Sequence, residues 1–183
     1  MNKNIEIEFK TAITKEKYEE LLALFNLENN IFKQVNYYFD TDTFDLNKQK
    51  TVLRIRQKRE NFYKVTLKSQ SEHGAFESHV LLNEDQAKDM IEHGFYTKDF
   101  FDDVDYFVTF KAELQNERVS TPHTHGTLFF DRCEYYGITD YEVEYEVEDY
   151  EEGLIVFKQF LAEHHIPFVL AKRKSERALD SRK

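Results

Sequence analysis

The sequence predicts an α+β fold, mainly β, whose antiparallel strands form a barrel or a strongly curved sheet. Three observations predict it. Apolar and charged residues alternate at period two through one segment after another, as half-buried strands require. Amphipathic helical segments interrupt the strands at irregular intervals. The 183 residues include 17 Phe and 11 Tyr, enough bulk for a core, which argues against disorder.

Residues 5–10 set the pattern: Ile5, Ile7 and Phe9 take one face, and Glu6, Glu8 and Lys10 the other. Thr14 stands where a helix cap belongs, ahead of Tyr18, Leu21, Leu22 and Phe25 at helical spacing. Residues 32–41 read as an aromatic-rich strand ending in Asp/Thr turn chemistry at 40–45. Strands at 52–58 and 62–68 make a hairpin about Glu60-Asn61. A strand at 75–81 leads to a short helix that opens with the pattern Asn83-x-x-Gln86 and stops near Gly94. A further short helix is expected over 97–103. Strands then follow at about 106–118, 127–135 and 140–148, with Gly137 at the last turn. Leu154, Phe157 and Leu161 mark an amphipathic helix that Pro167 ends. The tail, 172–181, is basic at its start and helical. About eight strands result.

No repeat, low-complexity tract or linker interrupts residues 1–183, which read as a single domain. No apolar run reaches the roughly 20 residues of a membrane span. The first ten residues lack the basic start and apolar stretch of a signal peptide. One cysteine, Cys133, cannot form an internal disulfide, which fits a reducing cytoplasm. With 25 basic and 35 acidic residues the net charge is −10, which argues against nonspecific nucleic-acid binding. An anionic substrate would need a local positive site set against that field.

The charged faces show where to look. Leu53 and Ile55 oppose Arg54 and Arg56; Val65 and Leu67 oppose Lys64, Thr66 and Lys68; Phe76, Ser78 and Val80 oppose Glu77 and His79; Val143, Tyr145 and Val147 oppose Glu142, Glu144 and Glu146. The simpler reading is a sheet whose charged face lies in water. The alternative is a closed barrel with helices over its apolar outside, so that charges converge within. Such charges must pair, stay hydrated or bind ions. Carboxylates at i and i+2 on one strand can share a hard cation. Paired arginines can grip phosphate oxygens with forked donors. Together they are the equipment of phosphoryl transfer.

These residues resemble a known family. Glu6-Ile-Glu8-Phe-Lys10 matches the E-x-E-x-K signature of the CYTH domain, also called the triphosphate tunnel metalloenzymes. Tyr38-Phe39-Asp40, Leu53-Arg54-Ile55-Arg56, Thr66-Leu67-Lys68, Arg118, Asp131, the Glu142-x-Glu144 pair and a basic C-terminal stretch follow in order, over about residues 5–177. The resemblance implies an eight-stranded antiparallel barrel whose charged lumen binds a triphosphate and a divalent metal, Mg²⁺ or Mn²⁺. Under it, Glu6 and Glu8 are metal ligands with Glu142 and Glu144, and Asp131 sits on metal or orients a basic partner. Lys10, Arg54, Arg56, Lys68 and Arg118 grip phosphate, and Glu77 is a weaker match. Relatives often read Lys-Ser/Thr-Lys-x-x-Arg near the C-terminus, where this chain has Lys172-Arg173-Lys174-Ser175-Glu176-Arg177. Lys174 and Arg177 are the carried-over phosphate ligands there. Glu146 shares the face of Glu142 and Glu144, so which of the three touch metal is open at this level.

The implied activity is metal-dependent hydrolysis of a small triphosphate by Glu6, Glu8 and Lys10, with tripolyphosphate or thiamine triphosphate as substrate. The alternatives are a class IV type adenylate cyclase acting on ATP and a non-catalytic polyphosphate-binding module. The expected setting is a cytoplasmic monomer or homodimer, with no nucleic-acid or membrane partner. His123, His125, His164 and His165 read as solvent-exposed and Cys133 as packing, since no third His or Cys stands at ligand spacing.

Overall fold

The computed structural model describes residues 2–182, with side chains from Asn4 onward; Met1 and Lys183, the ends of the expected domain, lie outside it. The elements in chain order are β1 (Asn2–Ile13), α1 (Lys15–Leu24), β2 (Phe32–Asp40), α2 (Asp45–Lys48), β3 (Thr51–Lys58), β4 (Phe62–Gln70), β5 (Ala75–Leu82), α3 (Glu84–His93), β6 (Phe95–Tyr96), β7 (Phe107–His123), β8 (Gly126–Tyr135), β9 (Ile138–Val147), α4 (Tyr150–Glu163) and α5 (Lys174–Ser181). Hydrogen-bonded neighbours run β2-β3-β4-β5-β1-β9-β8-β7-β6, and a further pairing of β2 with β7 closes the sheet. Eight antiparallel strands thus form a closed barrel, and the two-residue β6 stays outside it. Closure decides between the two readings of the charged faces: helices cover the apolar side, so the charged side faces inward.

Two compact units carry this arrangement, one built on Gln34–Leu114 with α5, the other on Glu6–Lys33 and Gln115–Arg173. In the second unit, Phe9, Val119, Leu128, Phe130, Val143 and Tyr145 of the strands pack on Tyr18, Leu21 and Leu22 of α1 and on Phe157, Phe160 and Leu161 of α4. In the first, Phe39, Leu53, Ile55, Tyr63, Val65, Leu67 and Leu82 pack on Leu46 of α2 and on Ala87 and Met90 of α3. At roughly 1.5–3 kcal/mol for each fully buried large apolar side chain, these two clusters hold the strands that present the charged residues.

Local chemistry sets the helix ends. Thr14, Asn83 and Asp149 each accept a hydrogen bond from the backbone N–H three residues on, capping α1, α3 and α4. The expected 40–45 turn runs on into the single turn of α2, because buried Asp40 accepts from the N–H groups of Thr41, Leu46 and Asn47 at 2.8–3.0 Å. The helix expected over 97–103 shrinks to a 3₁₀ turn, Thr97–Asp99. Thr97 ties that segment into a loop instead, donating to Val104 O and accepting from Tyr106 N, each at 2.9 Å. Nor does Pro167 end α4. His165 takes a left-handed φ of 54°, and Ile166 N–H donates back to Leu161 O at 2.8 Å, a Schellman closure without glycine.

Gly94 ends α3 at φ 79°, where an added Cβ would lie 2.5 Å from the carbonyl oxygen of Val108. Gly94→Ala therefore meets both conformational strain and a backbone clash, and is expected to cost at least about 1–3 kcal/mol. A urea midpoint equal to that of the wild type would contradict this.

Candidate active site

The carboxylates expected from the sequence converge within one unit, on β1, β8 and β9. Register sets Glu8 opposite Glu146, Lys10 opposite Glu144 and Asp131 opposite Glu142. Alternation then turns all of them to the inner face. They form two groups, each with oxygen atoms within 4.8 Å of one another: Glu6, Glu8 and Glu146, partly exposed, and Asp131, Glu142 and Glu144, all buried. The three glutamates of β9 thus divide: Glu146 groups with Glu6 and Glu8, and the other two with Asp131.

Two cations stand among these six carboxylates. Lys10 Nζ lies 3.4 Å from Glu8 and 3.6 Å from Glu144, joining the groups. Arg118, opposite Asp131 on β7, forks onto both oxygens of that carboxylate at 2.7 Å and also donates from Nη2 to Glu144. Its guanidinium carbon lies 4.3 Å from the centroid of the Phe129 ring. Burial works against the charge of Arg118, but Asp131 and Glu144 outweigh it and hold the guanidinium pKa well above its ordinary value. Arg118 is therefore a permanent cation whose Nε and Nη2 are committed to carboxylates.

Of the residues expected to grip phosphate, Lys10 and Arg118 lie among these carboxylates, whereas Arg54, Arg56 and Lys68 lie in the other unit, on the inner face of β2–β5, in cross-strand rows. Val52, Lys68 and Glu77 form one row; Tyr38, Arg54, Thr66 and His79 the next; Asn36, Arg56, Lys64 and Leu81 a third. Arg56 is buried and donates from Nε to Asn36 Oδ1 at 2.8 Å, while Asn36 donates to the Tyr38 hydroxyl at 3.1 Å. Lys68 and buried Glu77 are 3.8 Å apart, His79 Nε2 is 3.5 Å from Glu77, and His79 Nδ1 is 2.9 Å from the Thr66 hydroxyl. Arg54 differs. Its Nε is buried and has no hydrogen-bond partner among the described residues, a costly state unless something else accepts from it.

Sequence reasoning passed over Asn36 and gave Lys64, Thr66 and His79 no role. Strand parity could have found them, since each lies an even number of residues from an assigned neighbour or directly across from one. Lys174 and Ser175 are buried at the start of α5, in the same unit as Arg54 and Arg56, and Lys174 and Arg177 share a helix face by their i,i+3 spacing.

Two of the histidines expected in solvent are half-buried. The rings of His123 and His164 pack on Phe160, with centroids 5.4 and 4.6 Å away. Burial holds His123 below its usual pKa. As pH falls through the ordinary histidine value, the unfolded chain takes up a proton that folded His123 resists, so stability declines. His123→Gln is expected to flatten the fall in urea midpoint between pH 7 and pH 5.5; an unchanged slope would show that other groups carry it. Cys133 is buried on the face of Asp131, with Sγ 4.0 Å from Asn116 Oδ1.

Fold and site together define a class: a closed antiparallel barrel with helices on its apolar outside and an inner face bearing both clustered carboxylates and clustered guanidinium and ammonium groups. The chain belongs to the CYTH domain family, whose model matches residues 4–179. It is 34% identical over 187 residues to YjbK of Bacillus subtilis (strain 168), described as a candidate triphosphatase, with 95% of this chain and 94% of that one covered. A solved structure from Bacillus halodurans, described as a candidate adenylate cyclase, matches with a TM-score of 0.87 at 31% identity over 97% of this chain and 98% of the other. A Hippeastrum structure, HpAC1, described as a candidate adenylyl cyclase with a dominant triphosphatase activity, matches with a TM-score of 0.75 at 22% identity, covering 97% and 95%. At that identity the likeness is one of fold.

Proposed function

We propose that the protein hydrolyses a triphosphate, inorganic tripolyphosphate or thiamine triphosphate, with Mg²⁺ or Mn²⁺ as its cofactor, as a single cytoplasmic domain. The observation that carries this reading is the convergence of carboxylates: Glu6, Glu8 and Glu146 form one group and Asp131, Glu142 and Glu144 another, each with oxygens within 4.8 Å of one another. Like charges gathered this closely repel one another, and anion binding alone does not require them. Their oxygens suit a hard divalent cation. Glu6, Glu8, Asp131, Glu142 and Glu144 would hold it. When bound, it would neutralise phosphate oxygens and acidify water.

The chain's own groups supply the rest. Arg54, Arg56, Lys68, Lys174 and Arg177 take the phosphate oxygens, with the buried Nε of Arg54 gaining the acceptor it lacks. Arg118 holds Asp131 and Glu144 in place and keeps Nη1 for an oxygen of the substrate. A carboxylate of the Glu6 and Glu8 pair accepts a proton from water as its oxygen attacks the terminal phosphorus in line. The bond from that phosphorus to the bridging oxygen breaks, and Lys10 and the arginines stabilise the diphosphate that leaves.

The description of the Bacillus halodurans relative favours a second reading, adenylate cyclisation. Product analysis with ATP separates the two: hydrolysis yields ADP and phosphate, whereas cyclic AMP and pyrophosphate would overturn the hydrolase. Lys174→Ala is expected to raise KM for tripolyphosphate about tenfold, with the loss growing as salt screens the remaining cations. Unchanged kinetics in the folded variant would remove α5 from the site.

A further inference from the structure

One end of the cationic face differs from the rest. Beyond the row of Asn36, Arg56, Lys64 and Leu81 lies a last row of Gln34, Lys58 and Phe62. Parity puts all of them on the inner face, yet Phe62 is 43% exposed and Leu81 67% exposed. An aromatic and an aliphatic side chain thus lie open to solvent at the end of a face that, Val52 aside, is otherwise charged or polar. Gln34 is only 2% exposed, and neither its amide oxygen nor its nitrogen has a hydrogen-bond partner among the described residues. A buried amide with both ends unmade costs stability, and an apolar residue of the same shape would relieve that cost.

We propose that Gln34, Phe62 and Leu81 form a subsite for the organic head of a triphosphate ester, a flat heteroaromatic group that offers both a hydrogen-bond donor and an acceptor. This deepens the proposed function and rests on its reading of Arg54 and Arg56 as triphosphate ligands. An inorganic tripolyphosphate carries ionised oxygens at both ends. An ester replaces one of them by carbon, and a last row of one lysine, a neutral amide and one aromatic side chain, with Leu81 in the row before it, meets that end better than a row of guanidiniums. Phosphate oxygens only accept, so they can use the Nε2–H₂ of Gln34 and never its Oε1. A heteroaromatic head with an amino group and a ring nitrogen answers both, while Phe62 and Leu81 cover its flat sides.

The test is calorimetric titration of the whole protein, in EDTA so that turnover does not intrude, with the β,γ-imido analogue of ATP, with thiamine triphosphate and with tripolyphosphate. Phe62→Ser, Leu81→Ser and Gln34→Met are each expected to raise the Kd ratio of at least one ester to tripolyphosphate by about fivefold or more, and the ester affected tells a nucleobase from a thiamine head. Gln34→Met is also expected to keep or raise the melting temperature of the ligand-free protein. Ratios that stay constant, or a wild type that binds neither ester, would overturn the subsite. A shifted ratio in a protein that releases no phosphate from any triphosphate would uphold the subsite and sink the hydrolase. Phosphate release with constant ratios would do the reverse.

Discussion

Glu6→Gln and Glu8→Gln each lower turnover by at least about 100-fold at limiting Mg²⁺ and leave the fold intact. Both side chains are partly exposed at the start of β1, grouped with Glu146, and neither lies in an apolar cluster. Gln keeps the shape of Glu and removes the charge. A hard divalent cation takes most of its protein affinity from charged oxygens. The cation's share of transition-state stabilisation is several kcal/mol, and each 1.4 kcal/mol is a factor of about ten in rate. Excess Mn²⁺ should restore part of the loss, since a weakened site fills by mass action. Near-normal rates at limiting Mg²⁺ in a folded variant would take these glutamates out of the site.

Arg118→Ala lowers stability by about 3–5 kcal/mol, the larger structural effect of any single change on the inner face. Arg118 is the forked partner of Asp131, which is fully buried, and also donates to Glu144, which is nearly so. Its removal takes the forked donor from a buried carboxylate and a second donor from its neighbour. Asp131→Asn in the same background should recover part of the loss, because the uncompensated charge goes with it. Divalent cation should raise the melting temperature of Arg118→Ala by more than it raises that of the wild type, as the exposed need for positive charge is met. A variant as stable as the wild type would mean that water compensates the carboxylates already.

What was legible in the sequence was local. Period two marked Leu53-Arg54-Ile55-Arg56 and Lys64 to Lys68 as strands and separated their charged from their apolar residues. The caps at Thr14 and Asn83 depend on contacts three residues long. What was not legible depended on chain pairing. The β2–β7 pairing that turns an open sheet into a barrel joins segments far apart in sequence. Alternation reads the same in either form, so closure was suggested by the kinds of charge on that face and by the family resemblance. Likewise, the opposition of Arg118 to Asp131 across β7 and β8 is a matter of register, and it makes a residue expected on phosphate the forked partner of a buried carboxylate as well. The division of Glu142, Glu144 and Glu146 between two groups follows from their partners on β1 and β8. Asp40, matched to the family by its Tyr-Phe-Asp context, holds the start of α2 through contacts six and seven residues away.

The central claim is that the acidic and cationic residues serve one metal-dependent reaction. It is tested most directly by phosphate release from tripolyphosphate, measured on chelator-stripped protein before and after addition of Mg²⁺ or Mn²⁺. The account predicts no release above background from the stripped protein, and rapid release, with diphosphate as the other product, once either cation is restored. Equal release with and without the cation, or none under either condition, would contradict it.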